Sequence, residues 1–361
     1  MALSIIRFSP HIPKFPSSPH RLTNNNNNVI TTIIRSSSSS SSNSSSSSSS
    51  SFDLRSYWTT LLTQVNSSLS SAVPVVFPDS IHLSMRHSLL SPAAKRAPPV
   101  LCIAAACDLL GSPLPAALPT ACALEMVHSA SLVHDDLPCM DASPLRRGRP
   151  STHSLFGPAL AVLAGDALFP LAFHHIISQT PASLVPPSAL LAVISEISRA
   201  VGSTGMAAGQ CLDLTTTSSS CSDDILEIVD KKFGEMAECS AACGGIIGGG
   251  TEEEVGRLRK YGRAVGVLYQ LVDDVLMEEA NGTTMRSNGS VVRAVGMERA
   301  LEMVEELRET AKRELDEGFG DRYGDGLMPL YSFVDYAVER GFDAAATAAA
   351  VAAATSDGST L

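Results

Sequence analysis

The spacing of apolar residues constrains the fold of this chain more than any other feature of its sequence. Between residues 261 and 276 the apolar side chains recur every three or four positions, which places them in one stripe along an amphipathic helix. Runs that alternate apolar and polar residues, as half-buried strands do, are scarce after residue 52. The sequence therefore predicts an all-α fold.

Two further segments predict long helices. The segment that begins at Pro119 has the apolar spacing of a helix, which Pro138 is expected to end. Residues 157–177 are apolar nearly all round, as in a central, buried helix. Because no linker interrupts residues 52–340, we expect one all-α domain over 52–361. Its Ala-rich tail could be a helix or an unstructured end.

Residues 1–51 differ in composition from the rest of the chain. They contain runs of Asn and Ser, four Lys or Arg residues and no Asp or Glu. Such a segment cannot bury enough apolar surface to offset its conformational entropy, so we expect disorder. A basic, Ser-rich and acid-free N-terminus is also typical of an organelle transit peptide. This favours targeting to an organelle, and the chloroplast (plastid stroma) over the mitochondrion. The alternative is a low-complexity tail without a targeting role.

Charge and hydropathy exclude several classes of function. With a net charge of −11, the chain lacks the basic surface that proteins binding nucleic acid carry. It has no unbroken run of the roughly 18 apolar residues that a transmembrane helix needs, so we expect no transmembrane segment. Its eight cysteines lack the regular spacing of a small disulfide-linked domain.

The stretch HSASLVHDDLPCMDASPLRRGRP, residues 128–150, predicts a site for a diphosphate bridged to a metal ion. A bend at Pro138 can bring a third carboxylate back to the first two. Mg²⁺ is commonly held by carboxylates together with substrate phosphates, and arginine binds phosphate through two donors. The alternative is an acidic helix end followed by a basic loop. The candidate residues are Asp135, Asp136 and Asp141 for the metal and Arg146 and Arg147 for the diphosphate.

The stretch YQLVDDVLM, residues 269–277, carries a second pair of acids. Gln270, Asp273, Asp274 and Met277 lie at three- and four-residue spacings on one helical face. A carboxylate at position 277 would join Asp273 on one cation, but the neutral thioether of Met277 is a poor ligand for Mg²⁺. Asp273 and Asp274 therefore form either a weak second metal site or two acids on an ordinary helix.

In the order of these motifs the chain resembles the trans-prenyl diphosphate synthases, in particular plant geranylgeranyl diphosphate synthases. The segments that carry the resemblance are AAKRAPP, VHDDLPCMD, LRRGRP, AVLAGDALF, GMAAGQCLDL and YQLVDDVLM. The resemblance implies an isoprenoid synthase-type helical bundle around a central cavity, acting as a dimer. It also implies the condensation of isopentenyl diphosphate with an allylic diphosphate. In that reaction two facing aspartate motifs hold Mg²⁺ ions. The ions promote the departure of diphosphate from the allylic substrate, which forms a carbocation.

The resemblance assigns roles to individual residues. Asp135, Asp136 and Asp141 match the first aspartate motif, and Arg146 and Arg147 match the arginines that bind diphosphate after it. Four more residues match positions that bind the substrate diphosphates in the family: Lys95, His128, Lys232 and Gln270.

Several positions depart from the family pattern. The family's run GGKRxRP is AAKRAPP here, so Pro98, which has no donor, replaces an arginine. Phe233 replaces a threonine, and Met277 replaces the last aspartate of the second motif. The lysines that follow this motif in the family are missing after residue 279. Losing a carboxylate and several cations weakens transition-state stabilisation and lowers the rate by orders of magnitude.

These losses resemble those of the non-catalytic small subunits of plant heterodimeric geranyl(geranyl) diphosphate synthases. That resemblance implies a catalytic geranylgeranyl diphosphate synthase large subunit as partner, whose product length or flux this chain changes. Such small subunits carry CxxxC motifs, and Cys239 and Cys243 fit the second of them. The two thiols share a helical face, either at the partner interface or, as small residues, in the core.

The sequence leaves two main functions open. The first is a regulatory subunit with little or no turnover alone. The second is a prenyltransferase that works by itself with Mg²⁺ and the intact first motif. A terpene cyclase would share the all-α architecture, but the LRRG run after the aspartates fits a chain-elongating enzyme better.

Overall fold

The computed structural model describes residues 52–216, 222–281 and 290–357. Residues 1–51, with the expected transit peptide, lie outside the described residues, so that expectation stays a prediction. Across the described ranges, strands are confined to one short antiparallel hairpin, Leu145–Arg146 (β1) with Arg149–Pro150 (β2). The predicted all-α fold is confirmed.

The α-helices of the described residues follow one another with short connections. Two π-helical turns interrupt them, Ala104–Leu109 after α3 and Asp230–Gly234 between α9 and α10, and two 3₁₀ turns, Gly320–Arg322 and Gly324–Leu327, precede α14. In chain order the helices are α1 Leu54–Ala72, α2 Asp79–Leu89, α3 Ala97–Ile103, α4 Leu114–Asp135, α5 Thr152–Phe156, α6 Pro158–Gln179, α7 Pro187–Val201, α8 Met206–Thr215, α9 Ser222–Val229, α10 Glu235–Ile247, α11 Glu252–Asn281, α12 Val291–Val295, α13 Met297–Gly318, α14 Met328–Glu339 and α15 Ala344–Asp357.

Helix α4 is at the centre of the bundle. It packs against α1, α2, α3, α6 and α10, and its buried positions are mostly small or apolar, such as Ala121, Leu124 and Met126. Most buried apolar residues of the described chain belong to one contiguous cluster that extends from α1 to α15. The small side chains let neighbouring helices approach closely, and the apolar burial stabilises the bundle.

The start of α4 differs from the sequence prediction. The helix begins at Leu114, five residues before Pro119, which lies inside it. A proline in a helix removes one backbone hydrogen bond, and the burial of Ala116 and Ala117 in the core offsets this loss. The C-terminal end is as predicted, because the helix stops at Asp135, shortly before Pro138.

Helices α4 and α6 are long and apolar enough to cross a membrane, judged by length and composition alone. The protein buries 78% of the apolar segment of α4 but only 39% of that of α6. Helix α4 is thus a core helix. Helix α6 was predicted to be a central, buried helix. The structure corrects this, because Val162, Leu163 and Ile177 on its outer face are exposed. An apolar composition indicates that the surface of a helix is covered. It does not indicate whether the rest of the same chain or another molecule covers it.

The Ala-rich tail is a helix. After α14, Arg340 adopts a left-handed backbone conformation with φ of 49° and turns the chain. The carboxylate of Asp343 then accepts hydrogen bonds from the N–H groups of Ala345 and Ala346, at 2.9 and 3.0 Å, and so caps the first turn of α15. Helix α15 packs against α1 and buries Ala344 and Ala348.

Candidate diphosphate and metal site

A cavity of about 1020 Å³ lies between α3, α4, α8, α10 and α11. The central cavity implied by the resemblance is therefore present. Its wall combines charged and polar groups with a larger set of apolar side chains, which suits a ligand with an anionic head and a hydrocarbon chain. Among the apolar lining residues are Leu101, Leu132, Phe169, Leu214, Met236 and Val265.

The first aspartate motif lies at the C-terminal end of α4. Asp135 is the last residue of the helix and lines the cavity, whereas the next residue, Asp136, is 2% exposed. The N–H of Asp141 donates to the backbone oxygen of Asp135 at 2.9 Å. The turn through Pro138 therefore returns the third aspartate to the helix end, as the sequence predicted.

A tight turn between β1 and β2 presents the two arginines. Arg147 and Gly148 both have positive φ, 52° and 73°, which is the backbone of a two-residue hairpin turn. The Nε of Arg146 donates to both carboxylate oxygens of Asp136, at 3.0 and 3.1 Å. This ion pair fixes the hairpin to the end of α4 and engages Asp136, while Arg147 lines the cavity.

The electrostatic environment of Asp135 suits a bound cation. Burial raises the pKa of its carboxyl to about 6; Lys232 opposes this shift and the nearby Asp141 adds to it. An added cation stabilises a carboxylate whose charge is disfavoured in this way. No three acidic, His or Cys side chains of the described ranges converge into a metal-binding group. Asp135 and Asp141 could hold an Mg²⁺ ion together with diphosphate oxygens and water, and the ion would neutralise diphosphate charge.

His128 and Arg147 also line the cavity. The Nδ1 of His128 is buried and has no hydrogen-bond partner among the described residues, and burial lowers the pKa of His128 to about 4. This histidine is therefore neutral near pH 7. Burial also lowers the pKa of Arg147, to about 10, so the guanidinium keeps its charge. A neutral donor beside a fixed cation is suited to the oxygens of a diphosphate.

The other three predicted diphosphate ligands line the cavity but are engaged with protein groups. The Nζ of Lys95 donates to the hydroxyl of Tyr269 at 2.6 Å. The Nζ of Lys232 donates to Asp213 at 2.6 Å, and the side-chain amide of Gln270 donates to the second aspartate motif. A substrate diphosphate would have to compete with these contacts.

Both carboxylates of the second aspartate motif are paired with protein groups. Asp273 accepts a hydrogen bond from Nη2 of Arg340 at 2.7 Å. Asp274 is buried and accepts hydrogen bonds from Nε2 of Gln270 at 2.9 Å and from the N–H of Val291 at 3.1 Å. In this arrangement the two aspartates do not fit a metal ion. The sequence identified both acids but not their partners.

The three positions that depart from the family pattern lie in two environments. Pro98 and Phe233 line the cavity, where neither side chain supplies a donor to a diphosphate. Met277 is 45% exposed and does not line the cavity. Residues 282–289, part of the stretch from which the family's lysines are missing, lie outside the described residues.

Cys239 and Cys243 lie in the core. They share one face of α10, as predicted, with their sulfurs 3.8 Å apart and both residues almost fully buried. Helix α10 approaches α3 so closely here that a Cβ added to Gly244 would lie 2.4 Å from the backbone oxygen of Cys102. The two thiols therefore do not reach a surface of this chain. A role at the partner interface stays a prediction, and it would act through the packing of α10.

Two residues of the site escaped sequence analysis. Tyr269 precedes the second motif and contacts both Lys95 and Arg340. Its position next to Gln270 could have indicated a place in the site. However, an aromatic residue in a largely apolar helix belongs to the core more often than to a functional site. Arg340 is 67 residues from Asp273, and no local spacing could have linked the two.

Comparisons with known proteins show which family the chain is similar to. The sequence profile of the family described as polyprenyl synthetase matches residues 80–286. The chain is 54% identical to the "Heterodimeric geranylgeranyl pyrophosphate synthase small subunit, chloroplastic" of Arabidopsis thaliana, covering 81% of this chain and 86% of the relative. It is 40% identical to large subunit 1 of the Arabidopsis heterodimeric synthase, covering 80% of each.

Solved structures show the same similarity. An FPP/GFPP synthase from Zymomonas mobilis superposes with a TM-score of 0.70 at 29% identity, covering 78% of this chain and 98% of that chain. A geranyltransferase from Legionella pneumophila superposes with a TM-score of 0.68 at 27% identity, covering 80% of this chain and 97% of that chain.

Proposed function

Because the chain belongs to the polyprenyl synthetase family, we propose that it is the small, regulatory subunit of a heteromeric geranyl/geranylgeranyl diphosphate synthase. In this role it binds a catalytic large subunit and changes the length or the amount of that subunit's product. The 54% identity to an Arabidopsis small subunit supports this function. The chloroplastic location in that relative's name and the composition of residues 1–51 support import into the plastid.

The observation that carries the proposal is the difference between the two aspartate motifs. Asp135 and Asp141 at the first motif fit a metal ion and a diphosphate. At the second motif Asp273 is paired with Arg340 and Asp274 is enclosed by hydrogen bonds. Ionisation of an allylic diphosphate needs charge stabilisation placed in advance around the leaving group. A chain that keeps the fold and one motif suits a subunit that adjusts a catalytic partner.

The first motif gives the chain a defined way to bind an isoprenoid diphosphate. Mg²⁺, when bound, would neutralise diphosphate charge, with Asp135 and Asp141 as its protein ligands. The guanidinium of Arg147 would contact the diphosphate oxygens, and neutral His128 would donate one hydrogen bond to them. The apolar wall of the cavity would accept the hydrocarbon chain.

The outer face of α6 supports assembly with a partner subunit. Val162, Leu163 and Ile177 on this face are between 40% and 61% exposed. A group of large exposed apolar side chains on one surface is typical of a site that binds another protein. The backbone oxygen of Val162 is 3.2 Å from Nε2 of His134, the residue before Asp135. A partner seated on α6 would therefore contact a helix that also touches the end of α4.

The proposal is tested by the product profile of the chain with and without a catalytic geranylgeranyl diphosphate synthase subunit, in Mg²⁺. We expect little product from this chain alone. The mixture should give a product length or a yield that differs from the sum of the separate proteins. A mixture whose products equal that sum would contradict the proposal.

The second candidate function is a prenyltransferase that works alone. The complete first motif and the cavity favour it. This candidate requires Mg²⁺-dependent product from the isolated chain, and Asp135→Asn must abolish it. The regulatory proposal expects the isolated chain to be close to inactive before any substitution is made. The assay of the isolated chain therefore separates the two.

A further inference from the structure

The C-terminal segment, residues 340–357, is held against the cavity by the fold. Arg340 starts it with a left-handed turn, and the cap by Asp343 directs the chain into α15. Helix α15 packs on α1, and Ala345 near its start lines the cavity. The position of Arg340 is therefore fixed from both sides, by α14 before it and by the packed α15 after it.

Arg340 makes three contacts with the part of α11 that carries the second aspartate motif. Its Nη2 donates to Oδ1 of Asp273 and to the backbone oxygen of Tyr269, each at 2.7 Å. Its guanidinium lies 3.6 Å from the ring centroid of Tyr269, a cation–π distance. Lys95, which precedes α3, donates to the hydroxyl of the same tyrosine. The side chain of Arg340 is 13% exposed and that of Asp273 is 35% exposed, so water screens this ion pair only in part.

A guanidinium in this position competes with a metal ion. Arginine keeps its positive charge at all pH values at which the protein is folded. The guanidinium of Arg340 therefore already compensates the negative charge of Asp273. A divalent cation at Asp273 would either lie beside the guanidinium of Arg340 and be repelled by it, or displace Arg340 and leave a partly buried arginine without its carboxylate. Breaking such a pair by removing one partner is unfavourable. Asp135 at the first motif, by contrast, lines the cavity, and the turn through Pro138 brings Asp141 back to it.

We propose that Arg340 is the resident cation of the second aspartate motif and that this chain consequently binds divalent metal at the first motif only. The inference deepens the proposed function, because it names a contact that keeps the second wall of the cavity without metal. Its test measures metal binding by the chain alone. A failure would remove the difference in metal binding between the two motifs, but the heteromer proposal would still be decided separately by the product profile of the mixture. A failure in that product profile would not affect this measurement.

The experiment is an Mn²⁺ titration of the full-length chain, in which free Mn²⁺ is followed by electron paramagnetic resonance. We expect Arg340→Gln to bind more Mn²⁺ than the unsubstituted chain, because Asp273 is released. Arg340→Lys keeps a cation and should stay close to the unsubstituted chain. Arg313→Gln removes an equal charge from an exposed position and should also leave binding unchanged.

Asp273 must account for the gain. The double variant Arg340→Gln/Asp273→Asn should return to the binding of the unsubstituted chain. The proposal is overturned if folded Arg340→Gln, checked by circular dichroism, binds no more Mn²⁺ than the unsubstituted chain. It is also overturned if the additional Mn²⁺ persists in the double variant.

If Arg340→Gln does not fold, a second experiment tests whether the second motif holds metal. Asp273→Asn in the otherwise unchanged chain removes a carboxylate that, on this proposal, holds no metal. Mn²⁺ binding should therefore be unchanged, although the melting temperature falls because Arg340 loses its partner. A clear loss of bound Mn²⁺ in Asp273→Asn would show that the second motif holds metal and would overturn the proposal.

Discussion

Two aspartates that the sequence presents as equivalents meet opposite electrostatic conditions. Asp135 is partly buried near Asp141, and desolvation raises the pKa of its carboxyl to about 6. Asp273 is 2.7 Å from a guanidinium. Each sits in a DD pair on a helix, so residue type and local spacing do not distinguish them. The difference at the residue scale comes from Arg340, which a distant segment supplies.

The raised pKa of Asp135 predicts a pH-dependent gain in stability from Asp135→Asn. A carboxyl whose pKa rises from 3.8 to about 6 on folding contributes stability that is complete below its unfolded pKa and is lost as the pH rises through the folded pKa. Asparagine carries no charge to bury. In EDTA above pH 7, Asp135→Asn should therefore have a higher melting temperature than the unsubstituted chain. This difference in melting temperature, the gap, should become smaller towards pH 5.

Thermal unfolding at the two pH values checks this prediction. Asp325→Asn, at an exposed position, is the matched control and should show no such pH-dependent gap. Excess Mg²⁺ should raise the melting temperature of the unsubstituted chain but not that of Asp135→Asn. An equal gap at both pH values would contradict the interpretation of Asp135.

Restoring the missing ligand of the second motif should not restore catalysis. Met277 is 45% exposed and outside the cavity lining, and Asp273 is already paired with Arg340. We therefore expect Met277→Asp to remain close to inactive in an Mg²⁺-dependent prenyl transfer assay of the chain alone. If this single change gave robust turnover, the second motif would be one ligand short of function and the regulatory proposal would need revision.

At the scale of the elements, the position of α11 decides where the second motif lies. Helix α11 packs along α10 and α13. At the contact with α10, a Cβ added to Gly262 would lie 2.5 Å from the backbone oxygen of Ala237. Ion pairs across the same helices, such as that from Arg263 to Glu238 at 2.8 Å, add to this packing. Glycine at position 262 thus lets two helices approach closely.

We expect Gly262→Ala to destabilise the chain by about 1–3 kcal/mol, because overpacking shifts a helix–helix contact. Gly256 on the same helix has no atom within 4 Å of an added Cβ and provides the matched control. There alanine should stabilise the helix by up to about 1 kcal/mol. Urea denaturation of both variants measures the two free energies of unfolding, and a shift in the same direction for both would refute the packing argument.

At the scale of the whole molecule, the apolar outer face of α6 is the strongest indication of assembly. The inner side of this helix packs on α4, whereas its outer face exposes large apolar side chains to water. We expect Leu163→Glu to prevent co-elution with a catalytic large subunit in size-exclusion chromatography, since a buried charge at an interface is unfavourable. Thermal unfolding of the isolated variant should change little.

Leu212→Glu on α8 places the same charge at another exposed leucine and should leave the heteromer intact. Unchanged co-elution of Leu163→Glu would move the interface away from α6. Loss of co-elution in both variants would indicate a general effect of added charge instead of a specific surface.

By itself, the sequence determined the features that depend on local geometry. Apolar spacing predicted the helices, and the turn through Pro138 predicted the return of Asp141 to the end of α4. The LRRG run predicted an arginine at the cavity wall. These predictions were possible because a helix or a tight turn fixes the relative positions of residues that are close in sequence. The start of α4 was placed too late, because burial of Ala116 and Ala117 outweighs the hydrogen bond lost at Pro119.

Only the tertiary structure decided which distant residues contact these local features. It placed Cys239 and Cys243 in the core, left one face of the apolar helix α6 exposed, and brought Arg340 to Asp273 across 67 residues of chain. The sequence could not show this pairing, since it depends on how α14 and α15 return to α11. Contacts between distant segments follow from the packing of the whole bundle, which no local spacing encodes.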